Sequence, residues 1–82
     1  MQIGKTMTAV VYDFRQKYDT GEIDGSPESS IGVLQKHYGK RLEIMKPETI
    51  LKKVIYLQRC LTDKVDVDEQ ECLNAVTGYI WN

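Results

Sequence analysis

The apolar residues of this chain fall in stripes at helical spacing and never in long runs. No uninterrupted run is longer than Ala9-Val10-Val11-Tyr12, far short of the ~20 residues that cross a bilayer and too short for the core of a signal peptide. The pattern predicts a protein without a membrane segment, placed in the cytoplasm. Met7, Val10, Val11, Phe14 and Tyr18 recur at three- and four-residue steps, so a helix over about 7–18 gathers them in a narrow arc, with Thr6 as its N-cap. The rival is a strand through Thr8 to Phe14. Val, Tyr and Phe favour sheets, and alternation would put Val10, Tyr12 and Phe14 on one face.

Punctuation between the stripes is equally informative. Asp19-Thr20-Gly21-Glu22-Ile23-Asp24-Gly25 is turn chemistry and reads as a surface loop. Ser26-Pro27-Glu28 opens a helix, with Ser as cap, Pro where its missing donor costs nothing, and an acid at the positive end of the dipole. Ile31, Leu34, Tyr38 and, with them, Leu42 supply its buried stripe, and Gly39 stops it. After a connector holding Leu42 and Ile44, Lys46-Pro47-Glu48 opens the most periodic segment, whose Ile50, Leu51, Val54, Ile55, Leu57 and Leu61 mark it as the central core helix. Asp66 or Asp68 caps a last helix, which turns Cys72, Leu73, Val76, Tyr79 and Ile80 inward. With 82 residues there is surface for one modest core. The expectation is a single all-α domain over 1–82, a bundle of three to four helices (about 7–18, 27–39, 47–62 and 67–81) that pairs as a dimer.

Chemistry is sparse along the chain. Gly4-Lys5-Thr6 ends like a phosphate-binding loop but lacks the glycine five residues earlier. Asp19-Thr20-Gly21 spells a protease triplet without the apolar strand that should precede it. Asp66, Asp68, Glu69 and Glu71 put a glutamate where a calcium loop needs glycine, so helix capping accounts for them better. Cys60, Cys72 and His37 lack paired spacing and a fourth soft zinc ligand; one buried and one surface thiol, both reduced, is the simpler account. His37 projects to the solvated side of its helix, with no nucleophile assigned to it. These residues predict no enzyme, no cofactor and no metal.

What remains is surface. Formal net charge is −1, yet residues 36–59 carry 7 basic and 2 acidic groups, against 3 and 5 before them and 1 and 5 after. Opposite the apolar arc of the 47–62 helix lie Lys52, Lys53, Tyr56, Arg59 and Cys60. Lys40, Arg41 and Lys46 are close in sequence, so the basic middle forms either one patch aimed at acidic groups or phosphates, or a merely solvated face. Trp81 falls opposite Cys72, where an aromatic suits a binding contact or packing under the N-terminal segment.

Three stretches carry a family resemblance: Ala9 to Arg15, with Ala, apolar residues and then Phe14; Ile31-Gly32 opening a helix; and Ile50-Leu51 with Val54-Ile55 in the next. Over roughly residues 9–81 the chain resembles the small enterobacterial regulators of biofilm formation and acid resistance, the AriR type of two-component connector, one subgroup of which ends much like Leu73-Asn74-Ala75-Val76-Thr77-Gly78. It departs from them in a longer loop from Tyr18 to Ser30 and in Arg41-Leu42-Glu43-Ile44-Met45-Lys46-Pro47, where the family has an Asn-rich connector. The resemblance implies an all-helical homodimer acting in signalling or transcriptional control, without cofactor and without catalytic residues. The expected function is thus a non-enzymatic regulator that binds a protein of signalling or transcription. A nucleic-acid-binding modulator, and a phage- or plasmid-encoded inhibitor of a host protein, are the alternatives.

Overall fold

The computed structural model of the chain describes residues 5–61 and 66–81. Five helices follow one another: α1 (Lys5–Asp19), α2 (Pro27–Tyr38), α3 (Lys40–Glu43), α4 (Pro47–Leu61) and α5 (Glu69–Trp81), with no strand among the described residues. The strand alternative fails on burial. A strand would send Tyr12 inward beside Val10 and Phe14, whereas α1 buries Met7, Val10 and Phe14 and leaves Tyr12 72% exposed. Thr6 lies inside α1, so it is not the cap.

The predicted caps of the later helices are in place. Ser26 Oγ accepts from the Ser29 amide at 3.2 Å, and Pro27 takes the first helical position. Gly39 ends α2 at φ 56°, donating its amide to Gln35 O at 2.9 Å. Asp68, and not Asp66, caps α5: its Oδ1 accepts from the Glu71 amide at 3.1 Å, so the helix begins at Glu69, later than the expected 67. Of the predicted 47–62 helix, residue 62 lies outside the described residues.

Two expectations need correction. The helix count rises to five because the connector after Gly39 coils into α3, which drives Leu42 into full burial and leaves Ile44 85% exposed. And the hub is α2, which packs against all four other helices, while α4 packs substantially against α1, α2 and α5. The seat of α2 comes from Pro27, Ser30, Ile31, Val33 and Leu34, all buried on the faces it turns to its neighbours. Ser30 is tolerated there because its hydroxyl accepts from Gln58 Nε2 at 2.9 Å, and the same Nε2 donates to Gly25 O at 3.0 Å. One side chain of α4 thereby fastens both α2 and the loop before it.

That loop is bolted down more firmly than turn chemistry alone requires. Gly25 sits at φ +74°, and a Cβ there would lie 2.7 Å from Tyr18 Cε1 and 3.0 Å from Leu61 Cδ1. Glycine is demanded twice, by backbone conformation and by space. The contact puts the C-terminal ends of α1 and α4 together, and the two helices, which pack against one another, leave a groove where Tyr56 meets the outer face of α1. Among the described residues no helix is long and apolar enough to cross a membrane.

Candidate functional site

The groove between α1 and α4 has a volume of about 580 Å³. Val11 and Tyr12 of α1 and Tyr56 of α4 give it apolar and aromatic walls, while Arg15, Gln16 and Asp19 line its polar side. The sequence dictates this local layout. Tyr12, Arg15 or Gln16, and Asp19 follow one another at three- and four-residue steps and form the stripe of α1 that its buried stripe leaves outside. On α4, Lys52 and Arg59 stand about one turn either side of Tyr56; both are exposed, and neither enters an ion pair with a described residue. The Arg15 charge reaches Cys60 on α4 closely enough to favour its thiolate, though burial outweighs it and pushes that thiol up. Burial first, then the nearby Glu71, Asp68, Glu69 and Glu28, pushes Cys72 up as well. Neither thiol is poised as a nucleophile.

The basic middle of the chain is not gathered into one patch. Arg41 stacks over the Tyr38 ring at 5.0 Å, and Lys53 Nζ lies 5.2 Å from the same centroid, so two of the expected cations hold the end of α2. Lys40 and Lys46 are exposed near α3, away from the groove lining. The structure therefore brings Tyr56 together with residues of α1, leaves Lys52 and Arg59 exposed on α4 outside the groove lining, and assigns Arg41 and Lys53 elsewhere. Tyr12 and Arg15, which line the groove, were not among the expected interface residues. The signal was available, since a large aromatic on the polar side of an amphipathic helix has no packing duty there.

Trp81 belongs to a second surface. It is 81% exposed at the end of α5, beside a cleft of about 280 Å³ whose walls include Pro47, Leu51, Leu73, Val76 and Ile80. Leu73 and Ile80 were expected to face inward, but each is about two-fifths exposed, because α5 has α4 and α2 on its inner side and nothing described on its outer one. Cys72 and Val76 are buried as expected, Ala75 joins them, and Tyr79 is half-buried. Cys60 is half-buried, not a surface thiol.

His37 also departs from expectation. It is half-buried, with Nε2 2.9 Å from Asp13 Oδ2, and the same oxygen lies 3.4 Å from both Lys17 Nζ and Lys36 Nζ. The helix projection pointed His37 away from the core without knowing that α1 stands on that side. The hydrogen bond from His37, opposed by some burial and helped by the two lysines, holds the Asp13 carboxyl below its ordinary range. No three His, Cys, Asp or Glu side chains among the described residues are placed to share a metal ion. No family model matches the chain, and neither a curated protein nor a solved structure matches it.

Proposed function

We propose that this chain is a non-enzymatic regulator that pairs with a second copy of itself and docks on a protein of a signalling or transcription pathway, the role implied by its resemblance to the AriR-type connectors. The observation that carries the reading is the α5 strip. Leu73, Ile80 and Trp81 stand exposed along one edge of a small chain, over a cleft walled by Pro47 and Leu51. Contiguous exposed apolar groups of this kind mark interaction surfaces, and Trp is the residue most enriched where such surfaces hold partners.

The cleft beneath the strip is lined by apolar residues apart from Glu48 and Thr77, which favours an apolar partner surface such as the same strip of a second copy. Nucleic acid is the weaker reading. Lys52 and Arg59 are exposed for it, but Arg41 and Lys53 are spent on Tyr38, and the formal net charge is −1. Sedimentation equilibrium of the wild type and Trp81→Glu, with affinity purification of each from the native host, tests the proposal. A wild-type dimer that recovers one signalling or transcription protein, and a variant that is monomeric, is expected. A monomeric wild type that recovers no protein contradicts it.

A further inference from the structure

A second cleft adjoins the α5 strip near the end of that helix. Its volume is about 500 Å³, and Pro47 and Ile80 line both it and the smaller cleft beneath Leu73 and Trp81, so the apolar surface runs on from one to the other. Leu42 and Ile50, both buried, line it with half-buried Met45, while Gln35 and Glu43, both exposed, supply side-chain oxygens that accept hydrogen bonds. No described lysine or arginine lines it. Such a cleft takes an apolar body that carries a hydrogen-bond donor and no negative charge. The chain displays one. Trp81, its sole tryptophan, is 81% exposed, directly follows the lining residue Ile80, and has an indole N–H that needs an acceptor once the ring is buried.

Area points the same way. A stable pairing buries about 800 Å² on each partner. One edge of α5, a helix of 13 residues and hence about 20 Å long and about 10 Å across, offers well under that. The contact between copies therefore extends beyond the strip, and the cleft is its apolar continuation. Ile44, 85% exposed, stands in the chain between the lining residues Glu43 and Met45 and enlarges the same surface.

We propose that Trp81 of each copy docks in this cleft of the other, with its ring against Met45 and Ile80 and its N–H donating to Gln35 or Glu43. The proposal rests on the self-pairing proposed above and names the residue that the partner contributes. In a two-fold pair the projecting group and the cleft it fills belong to one face of the chain. Ile80, lining the cleft next to Trp81, meets that condition. Trp81 lines the smaller cleft of its own chain and not this one, so this one is completed by the partner. The pair then holds two equal contacts and closes on itself.

Sedimentation equilibrium of the full chain and the fluorescence of Trp81 follow the docking. Expected is a dimer whose emission moves to the red on dilution, with iodide quenching rising as the indole is released. Met45→Glu, which sets a carboxylate in the cleft, weakens pairing roughly tenfold or more. Gln35→Glu adds charge beside Glu43 at an exposed position, weakens pairing roughly threefold, and stands in for Met45→Glu if circular dichroism shows that variant unfolded. Trp81→Ala lacks the projecting group and the cleft variant lacks the cleft, so a mixture of the two regains one contact and pairs more tightly than either alone. A wild-type dimer untouched by the cleft variants, an indole that iodide reaches equally at every concentration, or a mixture no tighter than its components overturns the docking and leaves the strip as the pairing surface. A wild type that stays monomeric overturns the self-pairing and the docking together.

Discussion

The two edges of α4 are unlike. Toward α1 the helix presents Tyr56, across a groove whose walls are Val11 and Tyr12 and whose lining holds one cation, Arg15, and one acid, Asp19. Toward α5 it presents Pro47, Glu48 and Leu51 below Leu73, Ile80 and Trp81, a mostly apolar surface whose cleft is lined by a single charged side chain, Glu48. The supports differ as well. The groove edge is underpinned by Phe14, fully buried, and by the loop that Gln58, Tyr18 and Leu61 hold in place. The strip rests on α5, whose outer side carries no described neighbour. One helix thus separates a braced groove of mixed lining from an apolar strip suited to adhesion between copies.

The comparison breaks first if the bracing is imaginary. Phe14→Ala removes the largest fully buried side chain beneath the groove and is expected to cost about 3–5 kcal/mol in urea unfolding. That is a large share of what a chain of this size has, roughly 4–12 kcal/mol. Gly25→Ala sets a Cβ into Tyr18 at a positive φ, and a loss of about 2 kcal/mol should appear as a lower urea midpoint with unchanged slope. Gln58→Leu leaves Gly25 O and the Ser30 hydroxyl without their shared donor, a loss of about 1–2 kcal/mol by the same measurement.

Asp13 sharpens the contrast through pH. Its carboxyl is held below the ordinary 3.8 chiefly by His37, so the ionised form is favoured by folding. The stabilisation it provides is complete above the unfolded value and is lost as pH falls below about 4 toward the folded value. Asp13→Asn should therefore cost about 1 kcal/mol at neutral pH and flatten the acid limb of the stability curve. The smallest effect on folding is expected on the other edge. Trp81→Ala changes the free energy of unfolding in urea by no more than about 0.5 kcal/mol, because an exposed side chain has little to lose, while weakening self-association roughly tenfold.

The four longer helices and several of their ends were legible in the sequence because the signals are local, whereas the short α3 was not. Ser26 before Pro27, Gly39 after Tyr38 and Asp68 three residues before Glu71 each act within one turn. The place of α2 at the hub was not legible, since Ser29, Ser30 and Gly32 dilute its apolar stripe. Its burial depends on Gln58, nearly thirty residues further along the chain, supplying a donor to Ser30. His37 failed for a related reason: a helical projection gives a direction, not the identity of the helix that stands there. Of the interaction surface, Lys52, Tyr56 and Arg59 were readable as a stripe of one helix. Tyr12 and Arg15 join Tyr56 only once α1 and α4 are packed together, and Arg41 and Lys53 leave once Tyr38 is placed between them.

The claim that the α5 strip pairs two copies while the α1 groove stands apart from it is tested most directly by amide NMR shifts of the uniformly labelled chain, recorded on dilution. Leu73, Ile80 and Trp81 are predicted to move, while Val11, Tyr12, Arg15 and Tyr56 stay still. A strip that stays silent on dilution, or groove resonances that move with it, would contradict the account.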